Sequence, residues 1–380
     1  MRSRISRRRR RGNIVVLSAF MMIVMFGVMG FAIDLGYFNV SRTQLQRTAD
    51  ASAIAAVWEL IDNDALSGYA NSSQTEANAR TVAAEYAAYN AVLNRIANLA
   101  EEDVEIGFLA NPSDPNAEMD TSGLMPPNAV RVAVRRTADL NGNVPLFFAP
   151  LLGIKSLSTM TEATAALINN FRGFRAPDNG DNLGMLPFAL DIDTWNDLLA
   201  GNGPDDWTWD AQYNKIVEGS DGILEVNLYP QGTGSPGNRG TVDIGSSNNS
   251  TSDIARQITD GVTPEDLAFH GGSLQLDENG ELQLNADTGI SAGVKDELDS
   301  IKGQPRVIPV FAQVFGNGNN AQYVIVQFIG VRIRDVKLTG QMNSKRVIVQ
   351  PANIVASGGI PSNDTEQTSF FVYSPAWLVR

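Results

Sequence analysis

Residues Asn13 to Ile33 run for 21 positions without a charge, and seven arginines (Arg2, Arg4, Arg7, Arg8, Arg9, Arg10 and Arg11) crowd the segment before them. At ~1.5 Å per residue a helix of this length spans about 31 Å, close to the hydrocarbon thickness of a bilayer. Lipid cannot satisfy free backbone groups, so a single run of this kind crosses as a helix. Asp34 is the first acid in the chain. With seven arginines crowded before the run and an acid directly after it, the positive-inside rule predicts a cytoplasmic N-terminus and an exported remainder. The membrane is expected to be crossed once.

A cleaved signal peptide is the alternative. Its apolar region is ordinarily shorter, and Val28-Met29-Gly30 or Gly30-Phe31-Ala32 makes a poor small-x-small cleavage site. The helical pattern also continues past Ile33, so retention as an anchor is expected. The arginines fit orientation and attraction to lipid headgroups. Ala32 and Gly36, four apart, would permit close helix packing.

Charge excludes one large class of partner. The seven arginines set aside, 22 of the 29 basic residues face 42 acidic ones. An acidic body repels phosphate backbones, so nucleic acid is not an expected partner. Cysteine is absent, which removes disulfides, thiolate nucleophiles and cysteine-ligated zinc. The lone histidine, His270, rules out a multi-histidine metal site within one chain.

Helix is predicted to continue to about residue 61. Val40, Leu45, Ala49, Ala53, Ala56 and Leu60 fall at roughly helical spacing, and the alanines permit close contact with a neighbour. Asp34 is expected to mark the membrane exit in water, and Asp50 to pair with Arg47. A second helix is predicted over 74–100, with Val82, Tyr86, Tyr89, Leu93, Ile96 and Ala100 packing antiparallel on the first.

The order Gly12, apolar span, Asp34-Leu35-Gly36, then Leu45, Gln46, Ala49, Asp50, Ala51, Ala53, Ala55 and Ala56 resembles the N-terminal module of TadG-like proteins of the Tad (tight adherence) Flp-pilus assembly family. The resemblance implies a single-pass inner-membrane protein that helps assemble or anchor a pilus. Cleavage after Gly12 would leave Leu17 at mature position five, where processed pilins commonly carry glutamate. The chain therefore resembles an uncleaved accessory protein more than a filament subunit.

Beyond the helices the period changes. Residues 104–110, 128–138 and 156–168 alternate as strands, with a proline-bearing loop from Asn111 to Asn128. Phe147, Phe148, Leu151 and Leu152 form an apolar cluster expected in the core, with membrane or partner contact as the alternative. Helix plus antiparallel sheet resembles pilin layout. From 171 onward, helices are predicted at 252–260, 263–270 and 291–302, the second opening on the cap Thr263-Pro264-Glu265-Asp266. Ser273 to Asn285 reads as a hairpin with Leu-Gln-Leu arms around Asn279-Gly280. Further strands follow over 306–340 and to the end, and 230–253 reads as an exposed loop.

Five segments result: 1–12, basic and cytoplasmic; 13–33, transmembrane; 34–100, a helical stalk; 101–170, the pilin-like module; and 171–380, a larger β-rich exported domain. The fold class is α+β.

No catalytic, cofactor or metal residue is assigned. Asp243-Ile-Gly-Ser-Ser247 is similar to the Asp-x-Ser-x-Ser metal loop of von Willebrand type A domains, which some TadG-like proteins carry, but Gly245 replaces the middle serine. Asp191, Asp193, Asp197, Asp205, Asp206 and Asp210 surround Trp195, Trp207 and Trp209 without complete calcium-loop spacing. Solvated turns with core tryptophans are expected; a carbohydrate-stacking surface is the alternative. His270, at a helix end, is expected to meet terminal carbonyls.

The predicted function is a scaffold of Tad-type pilus assembly, with membrane lipid and other assembly or envelope proteins as partners. Two alternatives differ in class. One is an adhesin binding carbohydrate through the distal domain. The other is an exported hydrolase using an Asp/Glu pair.

Overall fold

The computed structural model describes residues 14–67, 71–112, 114, 116–210, 212–213, 215–228, 240–288, 290–316, 321–341, 344–362 and 366–379. The arginine block, Gly12 and the glycine-rich stretch at 229–239 lie outside the described residues. Contacts divide the chain into two compact units. One comprises Met1–Ala55, Arg80–Glu105 and Arg131–Thr164; the other comprises Ala56–Ala79, Ile106–Val130 and Ala165–Arg380.

Helix α1 runs unbroken from Ile14 to Trp58. Its two halves differ by composition. From Ile14 to Met29 every residue is exposed, whereas Leu45, Ala49, Ala53 and Ala56 are fully buried. The apolar half is long and apolar enough to cross a membrane and is a candidate anchor. Val40, expected on the buried stripe, is half exposed.

Helix α2 spans Ser72–Tyr89 and ends eleven residues before the predicted 100. Leu93 and Asn94 adopt left-handed backbone, and Val92 and Arg95 exchange hydrogen bonds across the resulting turn. Side chains of α1 take over the terminal groups. Thr48 Oγ1 donates to the Asn90 carbonyl at 2.8 Å, and Gln44 Oε1 accepts the Leu93 N–H at 2.7 Å. The buried face of α2 is Thr75, Ala79, Ala83 and Ala87, while Tyr86 and Tyr89 are exposed. Alanines, not the tyrosines, therefore make the close face.

Strands β1 (Val104–Gly107), β2 (Ala129–Arg136) and β5 (Thr159–Ala166) form a four-stranded sheet in the order β1-β2-β5-β21. Its last strand is β21 (Trp377–Leu378). Between β2 and β5, β3 (Val144–Pro145) pairs with β4 (Ser156–Leu157). Asn128 stitches the start of β2 to Leu109, accepting that residue's N–H at 2.7 Å and donating to its carbonyl at 3.1 Å.

The distal region is β-rich. In chain order it holds β6 (Phe171–Arg175), β7 (Phe188–Asp191), α3 (Ile192–Leu199), β8 (Trp207–Asp210), β9 (Lys215–Glu218), β10 (Val226–Asn227) and β11 (Gly240–Val242). Next come α4 (Thr251–Asp260), α5 (Pro264–Phe269), β12 (Ser273–Gln275), β13 (Leu282–Thr288) and α6 (Lys295–Ser300). Last come β14 (Pro305–Phe315), β15 (Ala321–Lys337), β16 (Arg346–Pro351), β17 (Ile354–Val355), β18 (Gly359–Pro361), β19 (Ser369–Phe370) and β20 (Val372–Tyr373). Two of the three predicted helices, α4 and α5, start on capping residues: Ser250 and Thr263 each accept the N–H three residues on. The third is shorter than the predicted 291–302: a 3-10 turn over Ala292–Val294 precedes α6, which has no side-chain cap.

The main sheet runs β10-β16-β15-β13-β11-β7-β14, and β14 also pairs with β15, giving a barrel-like closure. Closure leaves fewer open edges. Strand β15 carries β14 along one side; along the other it carries β13, β19 and β16 in succession. Both faces of the sheet are buried. On β7, Phe188 and Leu190 join one core with Trp195, Ile254 and Leu298, while Ala189 joins a second with Phe174, Tyr323 and Phe328.

The predicted hairpin at 273–285 is corrected. The turn exists: Asp277 accepts the N–H groups of Asn279 and Glu281, and Gly280 has φ +75°. The arms, however, separate, β12 pairing with β6 and β13 with β15 and β11. Turn chemistry is local, but strand partners are chosen by distant packing.

Candidate functional site

The most distinctive geometry surrounds Asp34. Contrary to expectation, its carboxylate is not in water; only 4 % of the residue is exposed. Oδ1 accepts the N–H of Phe147 at 2.7 Å, and Oδ2 accepts those of Phe148 at 3.0 Å and Ala149 at 2.7 Å. Burial pushes the Asp34 carboxyl up, but the three backbone donors outweigh it and hold it below the ordinary carboxylate range. The Phe147 ring meets Tyr37 edge-on at 5.0 Å. Phe148 lies on Gly30, where an added Cβ would fall 2.8 Å from its ring.

The segment so held is the cluster expected in the core, and that expectation fails. Phe147 is 58 %, Leu151 86 % and Leu152 83 % exposed. Leaving a leucine in water forgoes roughly 1.5–3 kcal/mol. A 3-10 turn at Ala149–Leu152 and Gly153 with φ +89° shape the tip. Ala32 and Gly36, proposed as a packing pair, are exposed; the small residue that takes a neighbour is Gly30. Asp50 accepts from Gln46 at 2.8 Å, one turn back, in place of Arg47.

A second polar constellation lies in the distal unit. Arg334, 1 % exposed, donates to Asp221 at 2.6 Å and to Gln350 at 2.6 Å. Gln350 returns a bond to Asp221 at 2.8 Å. Asp205 accepts from Ser220 and from the N–H groups of Asp221 and Gly222. Glu225 accepts from the N–H groups of Asp206 and Trp207 at 2.8 and 3.1 Å. Burial chiefly pushes Glu225 up to about 7, and Asp205 and Asp221 add repulsion. These carboxylates are already committed to loop backbone and to arginine, which describes a structural network.

The remaining sequence candidates are placed plainly. Asp191 caps α3, accepting from Thr194 at 2.9 Å. Trp195 is core, with Phe370 and Phe371 edge-on at 6.2 and 6.0 Å. Trp207 and Trp209 sit on the β8–β9 hairpin, Trp209 43 % exposed and so not core. Arg346 lies 6.0 Å over the Trp207 ring, forming with Asp205 and Ser220 a shallow groove.

Asp243 is buried and bonded to Asn249 N–H at 2.9 Å and Asn285 Nδ2 at 3.0 Å. Gly245 has φ +92°, and a Cβ there would meet Asp266 Oδ1 at 2.5 Å, so serine does not fit the middle position. His270 Nε2 accepts the Gly245 N–H at 3.2 Å and does not reach for carbonyls; burial pulls its imidazole below the usual value. Among the described residues no cluster of three or more His, Asp or Glu side chains could hold a metal ion.

Sequence reasoning missed the Asp34 clamp. The available signal was an acid directly after an apolar run together with an apolar cluster far along the chain, and nothing local joins them.

Residues 12–59 match a family model described as Flp pilus-assembly TadE/G-like, and residues 46–165 match one described as Tad-like Flp pilus-assembly. The long helix and the first sheet strands thus carry the signature of a Flp pilus-assembly protein. Within that class, the two overlapping matches support a TadG-like protein of the Tad system. No curated protein and no solved structure matches the chain.

Proposed function

We propose that this chain is a membrane-anchored accessory protein of Tad-type pilus assembly that acts by scaffolding, without chemical turnover. The carrying observation is the two-part helix α1, exposed from Ile14 to Met29 and buried along Leu45, Ala49, Ala53 and Ala56, within the family-matched residues. In this reading residues 13–33 cross the cytoplasmic membrane once. The arginines stay inside, and the stalk, the sheet module and the β-rich region from about 171 meet pilus or envelope partners outside.

The test is fractionation joined to accessibility. The full-length chain should stay with membranes through high salt, and protease added outside the inner membrane should digest residues beyond about 35. Deletion of the gene should reduce pili or adherence. A deletion strain with normal pili and adherence would remove the assembly role.

A further inference from the structure

The segment Leu146–Lys155 is the tip of a small hairpin. Its stem is the β3–β4 pairing, continued by Leu146 N–H to the Lys155 carbonyl at 3.1 Å. The tip exposes Phe147, Phe148, Leu151, Leu152 and Ile154. It is fixed to α1 where the apolar run ends, with Phe148 on Gly30 and the backbone of Phe147 to Ala149 on Asp34. At ~1.5 Å per residue, Gly30 lies about 4.5 Å before Ile33 along the helix. Phe26, Phe31 and Ile33 on α1 are exposed and apolar, and the tip meets this run at Gly30.

Most N–H groups of the tip are engaged within the protein. Non-helical chain at membrane depth is tolerated only when its polar groups are satisfied by protein. Asp34 takes three N–H groups, Leu151 donates to Phe148, Gly153 to Pro150 and Ile154 to Ala149, and Pro150 has no N–H to satisfy. Lys155 is exposed at the base, suited to headgroup phosphates.

We propose that this tip is a second membrane contact, in which lipid at the outward interface covers the five apolar side chains and fixes the depth and rotation of the anchor. The proposal rests on the reading of residues 13–33 as a membrane span.

The chain has no cysteine, so single cysteines introduced by L152C, L151C, M22C and E278C can each carry a polarity-sensitive nitrobenzoxadiazole label. The full-length chain would be reconstituted in phosphatidylcholine/phosphatidylglycerol vesicles containing lipids spin-labelled near the headgroup or deep in the chain. Labels at 151 and 152 should be quenched at least about threefold more than at 278, and best by the shallow spin label; the label at 22 should respond to the deep one. Quenching at 22 without quenching at 151 or 152 would overturn the tip contact and leave the anchor standing. A blue-shifted but unquenched label at 152 would mean protein covers the tip and would overturn it equally. Absence of quenching at 22 would overturn the anchor reading, and the tip contact with it.

Discussion

The carboxylate of Asp34 accepts the backbone N–H of Ala149 at 2.7 Å, joining residues 115 positions apart. An acid just past the apolar run of α1 thereby holds an apolar hairpin tip to that helix. Removing the acceptor should release the tip. For D34A in micelles, tryptic cleavage after Lys155 should quicken by about tenfold, because local opening no longer breaks three charged hydrogen bonds. Cleavage at the wild-type rate would contradict the clamp.

Gly30 and Gly27 offer a matched pair. A side chain at Gly30 runs into Phe148, whereas Gly27 has nothing within 4 Å of an added Cβ. G30L should therefore displace the tip and reproduce the D34A proteolysis pattern, and G27L should behave as wild type. Equal behaviour of the two variants would show that Phe148 does not rest on the helix.

Restoring the missing serine of the metal-loop pattern should harm the protein. G245S forces a side chain into φ +92° against Asp266, at a cost of about 3 kcal/mol. Chemical denaturation should report that loss. Magnesium should not stabilise the variant, since Asp243 is already bonded to Asn249 and Asn285.

Glu225 predicts a pH dependence. Its folded value near 7 lies above the ordinary 4.5, so the folded state binds more protons between them. Its contribution is greatest below about pH 4.5 and is lost as pH rises through 7, by up to about 3 kcal/mol. His270, pulled below its usual value by burial, acts in the opposite direction. The difference between wild type and E225Q isolates the glutamate. Wild type should lose stability relative to E225Q from pH 5 to pH 8, and parallel profiles would refute the assignment.

What could be read in advance was what neighbours in sequence decide. The apolar run and the alanine spacing gave α1, the cap Thr263-Pro264-Glu265-Asp266 placed α5, and β14 and β15 fall where strands were expected over 306–340. What could not be read depended on partners far along the chain. Helix α2 stops because Gln44 and Thr48 capture the groups beyond Tyr89. The arms around Asn279-Gly280 part because β6 and β15 claim them separately. Phe147 to Leu152 reads as core by composition alone; only the bond to Asp34 explains how it stays outside. The polar network around Arg334 gave no signal either, since Asp221, Gln350 and Glu225 are spread over 130 positions of ordinary-looking loop and strand.

Strand β21 pairs Trp377 with Ala166 and Leu378 with Ala165. The chain thus leaves β5 at one rung and comes back beside the same rung as β21 after the whole β-rich excursion. A body that departs and returns at adjacent points behaves as a cassette. Its contents can lengthen, shrink or be exchanged wholesale during evolution, and the frame that receives it keeps its strand order.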